Sequence, residues 1–151
     1  MVKDFSLLAP AAVLALWTIL VLCYMAVVRF RAMATIGLDL GQAKPGGRGG
    51  DLDPVLPPKA SWPSHNYTHL LEQPTLFYPV VVILFLVGGT SPLSVGFAWG
   101  YTMVRIVHSI WQIAVNRLPI RFMLFMASTI CLTALAITAV TITLGFGGAL
   151  L

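Results

Sequence analysis

Read for the run of apolar and polar positions, the chain divides into four apolar stretches separated by short punctuated turns. Ser6 to Val28 carries no charge and is long enough to cross a hydrocarbon core of about 30 Å as a helix. It ends in Arg29-Phe30-Arg31 with no small-residue cleavage site, so it reads as a retained anchor rather than a signal peptide. Residues Ala32 to Pro63 are rich in glycine and proline and predict a flexible, irregular loop. Its run Gly46-Gly47-Arg48-Gly49-Gly50 lacks the spacing of a phosphate loop and follows no strand. Ser64 to Val87 predicts a second apolar helix, kinked at Pro74 and Pro79. A tight uncharged turn, Gly88 to Pro92, leads to a third helix over Leu93 to Val115, and Asn116 to Ile120 turns the chain into a fourth over Arg121 to Gly145. The pattern predicts an all-α membrane protein, a four-transmembrane-helix bundle forming one domain over residues 1–151, with a short Gly-rich tail.

The third stretch departs from uniform apolarity. At about 100° per residue, Tyr101, Arg105, His108, Ser109, Gln112 and Asn116 fall within an arc of roughly 100° on one face. An arginine deep in a membrane helix costs at least ~2.5 kcal/mol on insertion scales, so this face must meet a partner, a carbonyl or water inside a bundle. Glu72 is the only carboxylate in any apolar stretch. Counting roughly 1.5 Å per residue from the turn shared by helices two and three puts Glu72 level with His108 and within a turn of Arg105. A contact from Glu72 to Arg105 or His108 is the expectation.

Composition agrees with the pattern. Hydrophobic residues make up 58% of the chain, charged residues 9%, and mean hydropathy is +0.90, far from a soluble domain of this length. The net charge of +4 comes from loop residues and a few arginines; no basic run interleaved with aromatics exists, and no nucleic-acid partner is implied. Cys23 and Cys131 lie in apolar stretches without metal-ligand or C-x-x-C spacing and read as small buried hydrophobes. Arg29, Arg31, Lys44, Arg48 and Lys59 border the first loop and Arg117 and Arg121 the third, whereas the second loop and the C-terminal tail have no basic residue and the N-terminus only Lys3. By the positive-inside rule the first and third loops are cytoplasmic and both termini lie on the non-cytoplasmic side of a multi-pass protein.

Three kinds of chemistry compete for the polar residues. His65, Thr68, His69 and Glu72 share about 100° of one face at the cytoplasmic end of helix two. They suit a buried ion pair that fixes helix register, a zinc site of i, i+4 histidines that finds no fourth ligand and is not predicted, or a polar pocket for a charged small molecule. Arg29, Arg31, Arg117 and Arg121 sit at the same membrane face, where they would bind carboxylates or lower the pKa of a bound thiol, or anchor to headgroups. Gly96-Phe97-Ala98-Trp99-Gly100 has the small-xxx-small spacing that permits close helix approach. Asn66-Tyr67-Thr68 matches a glycosylation acceptor on the side where no transferase would meet it.

Glu72-Gln73-Pro74-Thr75-Leu76-Phe77-Tyr78, together with Arg105-Ile106-Val107-His108-Ser109 through Asn116-Arg117 to Arg121, resembles the MAPEG family, the membrane-associated proteins of eicosanoid and glutathione metabolism. The resemblance covers most of the chain and implies a homotrimer of small four-helix subunits with glutathione as co-substrate, bound between neighbouring copies near the cytoplasmic side. It implies a transferase or peroxidase acting on a lipophilic small molecule in contact with membrane lipids. Arg121 and then Arg117 would assist the thiolate, and Arg29, Arg31, His65, His69, Glu72, Arg105, His108 and Gln112 would line the ligand site. Family glutathione enzymes carry an arginine and an asparagine where this chain has His65 and His69. That replacement favours the alternative, a non-enzymatic relative that binds a lipid or supports a partner.

Overall fold

The structure, a computed structural model, describes residues 4–39, 41 and 45–145. Lys3, Lys44 and the Gly-rich tail, which entered the predicted orientation, lie outside the described residues. Five helices follow one another: α1 (Ala9–Thr35), α2 (Pro58–Glu72), α3 (Pro74–Leu86), α4 (Pro92–Ala114) and α5 (Leu118–Thr143), with a 3-10 turn over Gly49–Leu52 between α1 and α2. Each helix has proline in its first two positions, where the missing N–H costs no intrahelical bond. Ser91 caps α4 by accepting from the Ser94 backbone N–H at 3.1 Å. Gly88 (φ +76°) and Asn116 (φ +56°) take the left-handed conformation that ends α3 and α4.

Two boundaries differ from the sequence expectation. The first helix runs past Val28 to Thr35, because nothing after Arg31 breaks it before Gly37. The second begins at Pro58 and is interrupted only at Gln73, whose backbone is itself helical (φ −63°, ψ −38°). Pro74 lacks an N–H, so the carbonyl of Leu70 loses its helical donor there.

The loop between α1 and α2 is more ordered than its composition predicts. Residues 45–57 fold back as a strap, with Leu56 buried beside Met33 and Ala60 in a small second core under Val28, Ala32 and Leu52. Buried Arg29 ties it down by donating to Ser64 Oγ at 2.6 Å, to the Gly49 carbonyl and to Asp53 Oδ1 at 3.1 Å.

The main core is formed by Leu14 and Val21 of α1, Leu70 of α2, Phe77, Val81 and Leu84 of α3, Ala98 and Tyr101 of α4 and Leu132, Leu135 and Ala139 of α5. Phe77 and Tyr101 stack with ring centroids 4.3 Å apart. Polarity is inverted relative to a soluble protein. Thr102, Arg105, His108, Ser109, Gln112, Asn66 and Ser128 are buried, while Leu16, Ile19, Leu20, Ile130, Ile137 and Val140 are exposed. That is the distribution expected when the surroundings are lipid and polar groups face neighbouring helices. Three helical stretches, Ala9–Thr35, Pro58–Leu86 and Leu118–Thr143, are long and apolar enough to cross a membrane. At 23 residues α4 is long enough, but its polar stripe keeps its hydropathy below theirs.

Candidate functional site

α4 packs against α1, α2 and α5, and the predicted stripe from Tyr101 to Gln112 is its inward face: Tyr101, Arg105, His108, Ser109 and Gln112 are all buried, whereas Asn116, also expected on that face, lies past the helix end in a left-handed turn. Arg105, 1% exposed, enters beside the break that Pro74 makes. It donates from Nη2 to the His69 carbonyl at 2.6 Å and from Nη1 to His69 Nε2 at 3.4 Å. A guanidinium can only donate, so Nε2 accepts and the proton of a neutral His69 sits on Nδ1. That Nδ1–H points at Glu72 Oε2, 2.8 Å away.

Glu72 therefore does not touch Arg105 or His108. Its carboxylate is 61% exposed, and His69 stands between it and the arginine. Depth counting left the phase of Glu72 around α2 undetermined, and the helix turns it outward from the face that His69 and Asn66 present to α4.

His108, 2% exposed, lies edge-on to His69 with ring centroids 5.0 Å apart, and Phe125 of α5 closes on the other face of His69 at 5.8 Å. His69, His108, Arg121, Leu118, Phe122 and Phe125 line a cavity of about 190 Å³. Arg121 is half-buried in the first turn of α5 and donates to Asn116 Oδ1 at 2.9 Å. Several polar atoms here are buried without a protein partner: both ring nitrogens of His108, Nε of Arg105 and of Arg121, Nε1 of Trp111 and Oε1 of Gln112.

The remaining sequence-predicted residues lie apart from this cluster. Arg29 and His65 meet at the strap, where His65 Nε2 is 2.8 Å from Asp53 Oδ2 and Asp53 bridges it to Arg29. Burial alone would raise the Asp53 carboxyl, but the hydrogen bond from His65, the nearby Ser61 hydroxyl and the charges of His65 and Arg29 hold it below its usual range. Arg31 and Arg117 are exposed. His65 and His69 thus serve different partners. Among the described residues no group of three or more His, Cys, Asp or Glu is placed to hold a metal ion.

Two polar junctions escaped the sequence reading. Ser109 Oγ accepts from Asn66 Nδ2 at 2.7 Å and from Trp17 Nε1 at 3.0 Å, joining α4 to α2 and α1. Gln73 donates to Thr129 Oγ1 at 2.8 Å and accepts from Ser128 Oγ at 3.3 Å and Tyr101 OH at 3.4 Å, joining the α2–α3 break to α4 and α5. The usable signal was an uncharged polar residue with no turn to explain it, Asn66 and Gln73 each lying inside a helical stretch.

Gly100 approaches α5 closely, and a Cβ there would stand 3.4 Å from Cys131 Sγ, whereas Gly96 faces open space. Outward-facing apolar grooves flank the bundle. One of about 620 Å³ runs between α3 and α5, walled by Leu76, Val80, Ile83, Leu132 and Ile137 with Gln73 at one end, and one of about 340 Å³ lies between α1 and α4.

No curated protein and no solved structure matches the chain. The profile of the MAPEG family matches residues 7–141, a span that contains the whole buried stripe, the α2–α3 break and the cavity. With its apolar helices facing outward and its polar groups turned in, this integral membrane protein belongs to the MAPEG family.

Proposed function

We propose that the protein is a membrane-embedded glutathione-dependent transferase or peroxidase acting on lipophilic electrophiles, working as a homotrimer in which all four predicted spans, α4 included, cross the bilayer. The observation that carries this reading is the position of Arg121, a cation in the wall of a cavity otherwise lined by imidazole and apolar side chains. A fixed positive charge favours thiolate over thiol, and more so where water is scarce. The thiolate sulfur would attack an electrophilic carbon, whose leaving group departs with its electron pair, or one oxygen of a peroxide, whose O–O bond breaks to release an alcohol and leave a glutathione sulfenic acid that a second glutathione converts to the disulfide and water. The apolar grooves suit the lipophilic second substrate.

Arg117, one turn from Arg121 and exposed, is the second choice for the thiolate. Arg31, also exposed, suits a ligand carboxylate, whose two oxygens match the planar fork of a guanidinium. Arg29 contributes indirectly, since its terminal nitrogens hold the strap.

The rival reading, a relative that binds a lipid without turnover, is favoured by one feature. His65 is engaged with Asp53 and Glu72 faces outward, so neither is presented to the cavity. Thiolate absorbance of glutathione, followed across neutral pH with parent and Arg121→Ala protein, separates the two. The enzyme reading expects binding with a thiolate signal that falls in the variant. No binding by the parent at millimolar glutathione refutes it; binding that ignores the substitution refutes only the role of Arg121.

A further inference from the structure

Arg105 and Arg121 are cations that the chain's own carboxylates do not neutralise. The sequence has five Asp and Glu residues, and all are engaged elsewhere. Asp4 accepts from the Ser6 N–H at 2.9 Å, Asp39 from the Gly41 N–H at 2.8 Å and Asp51 from the Arg48 N–H at 2.7 Å. Asp53 bridges Arg29 and His65, and Glu72 takes His69. Arg105 is compensated by the His69 carbonyl. Among the described residues Arg121 has only the neutral amide oxygen of Asn116, and its Nε is buried without a partner there.

His108 supplies the second, independent observation. It lines the same cavity as Arg121, is 2% exposed, and has both ring nitrogens buried and unpartnered. An imidazole carries at least one N–H in any protonation state. Arg121 and His108 thus stand in the wall of the cavity, the ring nitrogens of His108 buried just behind a largely apolar surface, and the Glu72 carboxylate reaches it only through His69.

We propose that this cavity binds a phosphate-type oxyanion, supplied by the headgroup of a membrane phospholipid or as free phosphate. About 190 Å³ is several times the share of one water, roughly 30 Å³, and leaves room for such a group. The residues of the wall with donors to spare arrive from two helices, His108 on α4 and Arg121 on α5, since both ring nitrogens of His69 are taken by Arg105 and Glu72. Donors converging from two helices suit a tetrahedral oxyanion. The first turn of α5 holds both the cation and the apolar mouth, Leu118 at 71% and Phe122 at 61% exposure. An acyl chain lies against that mouth while the phosphate reaches Arg121. The site goes beyond the thiol chemistry above and needs no glutathione.

The test uses delipidated full-length protein in detergent, titrated with short-chain phosphatidic acid, with inorganic phosphate, and with the diacylglycerol of the same chain length. Phosphatidic acid is expected to bind and to raise the unfolding temperature, and the diacylglycerol to do neither. If inorganic phosphate binds as tightly as phosphatidic acid, the free ion is the ligand; if only phosphatidic acid binds, the ligand is the headgroup. Arg121→Gln and His108→Phe should each weaken binding by about tenfold or more, the loss of a charge-assisted or buried hydrogen bond. Lys59→Gln, which removes an exposed positive charge outside the cavity, should not. Equal stabilisation by phosphatidic acid and the diacylglycerol overturns the proposal, as does unchanged affinity in both cavity variants. The comparison of probes on the parent needs no variant, so a substitution that misfolds leaves the proposal decidable. Glutathione is absent from the assay, so this site and the proposed activity fail separately.

Discussion

Replacing Ser109 by alanine removes one oxygen and strands two donors on two other helices. The hydroxyl accepts from Asn66 Nδ2 at 2.7 Å and from Trp17 Nε1 at 3.0 Å, and both Ser109 and Asn66 are 1% exposed. A buried donor left without a partner costs about 1–3 kcal/mol, with half-buried Trp17 at the low end. Helix–helix hydrogen bonds in membranes average only about 0.6 kcal/mol in double-mutant cycles, because a chain unfolded within the bilayer finds other partners. The two figures bracket Ser109→Ala between about 1 and 4 kcal/mol, and the near-complete burial of Asn66 places the expected loss near 2 kcal/mol. Reversible unfolding in mixed micelles measures it, with Asn66→Ala and the double variant completing a cycle. The pair should be coupled by about 1 kcal/mol. A Ser109→Ala protein within about 0.5 kcal/mol of the parent, or a double variant additive within about 0.3 kcal/mol, would refute the reasoning.

Glu72→Ala should cost little, no more than about 1 kcal/mol, because an exposed i, i+3 pair with His69 is screened by solvent; a loss near 3 kcal/mol in the same unfolding assay would restore the direct buried pair with Arg105. The strap should loosen in acid. The Asp53 carboxyl is held below its ordinary 3.8 in the folded state, so its contribution is complete above that value and is lost as pH falls through the depressed one. Proteolysis within residues 45–57 should therefore rise as pH falls below about 4 in the parent and show no such rise in Asp53→Asn. Reporter fusions at Leu151 should place the C-terminus outside the cytoplasm, following the asymmetry of Lys and Arg; activity only in the cytoplasm reverses the orientation.

The stripe on α4 was legible because 3.6-residue periodicity depends on nothing but the chain itself. All five of its residues from Tyr101 to Gln112 turn inward as read. The family resemblance was likewise carried by local motifs, Glu72 to Tyr78 and Arg105 through to Arg121, and the family profile matches residues 7–141. Pairings were not legible. Which of His69 and Glu72 meets Arg105 depends on the rotation of α2 about its own axis, a packing outcome that local sequence does not encode. The strap was hidden for a different reason. Glycine and proline report the absence of helix, and only Leu56, Arg29 and Asp53 acting across the chain supply order. Gln73 and Asn66 were not read as helix-joining residues because a neutral amide costs a helix little until neighbouring helices deprive it of water.

α4 has a further consequence for how the protein is made. A segment with arginine and histidine on one face partitions poorly from the translocation channel by itself, and its polar face is satisfied only by other helices. α1 and α2 precede it in the chain and supply Trp17, Asn66 and the His69 carbonyl, whereas α5, which lines the cavity with His108, emerges after it. If α4 crosses the bilayer as proposed, biogenesis must hold it beside its earlier neighbours, either in the channel or at its lateral exit, until synthesis of α5 lets the pair leave for the lipid. A truncation after Ala114 would expose that waiting state to quality control, so that α5 acts as the release signal for α4.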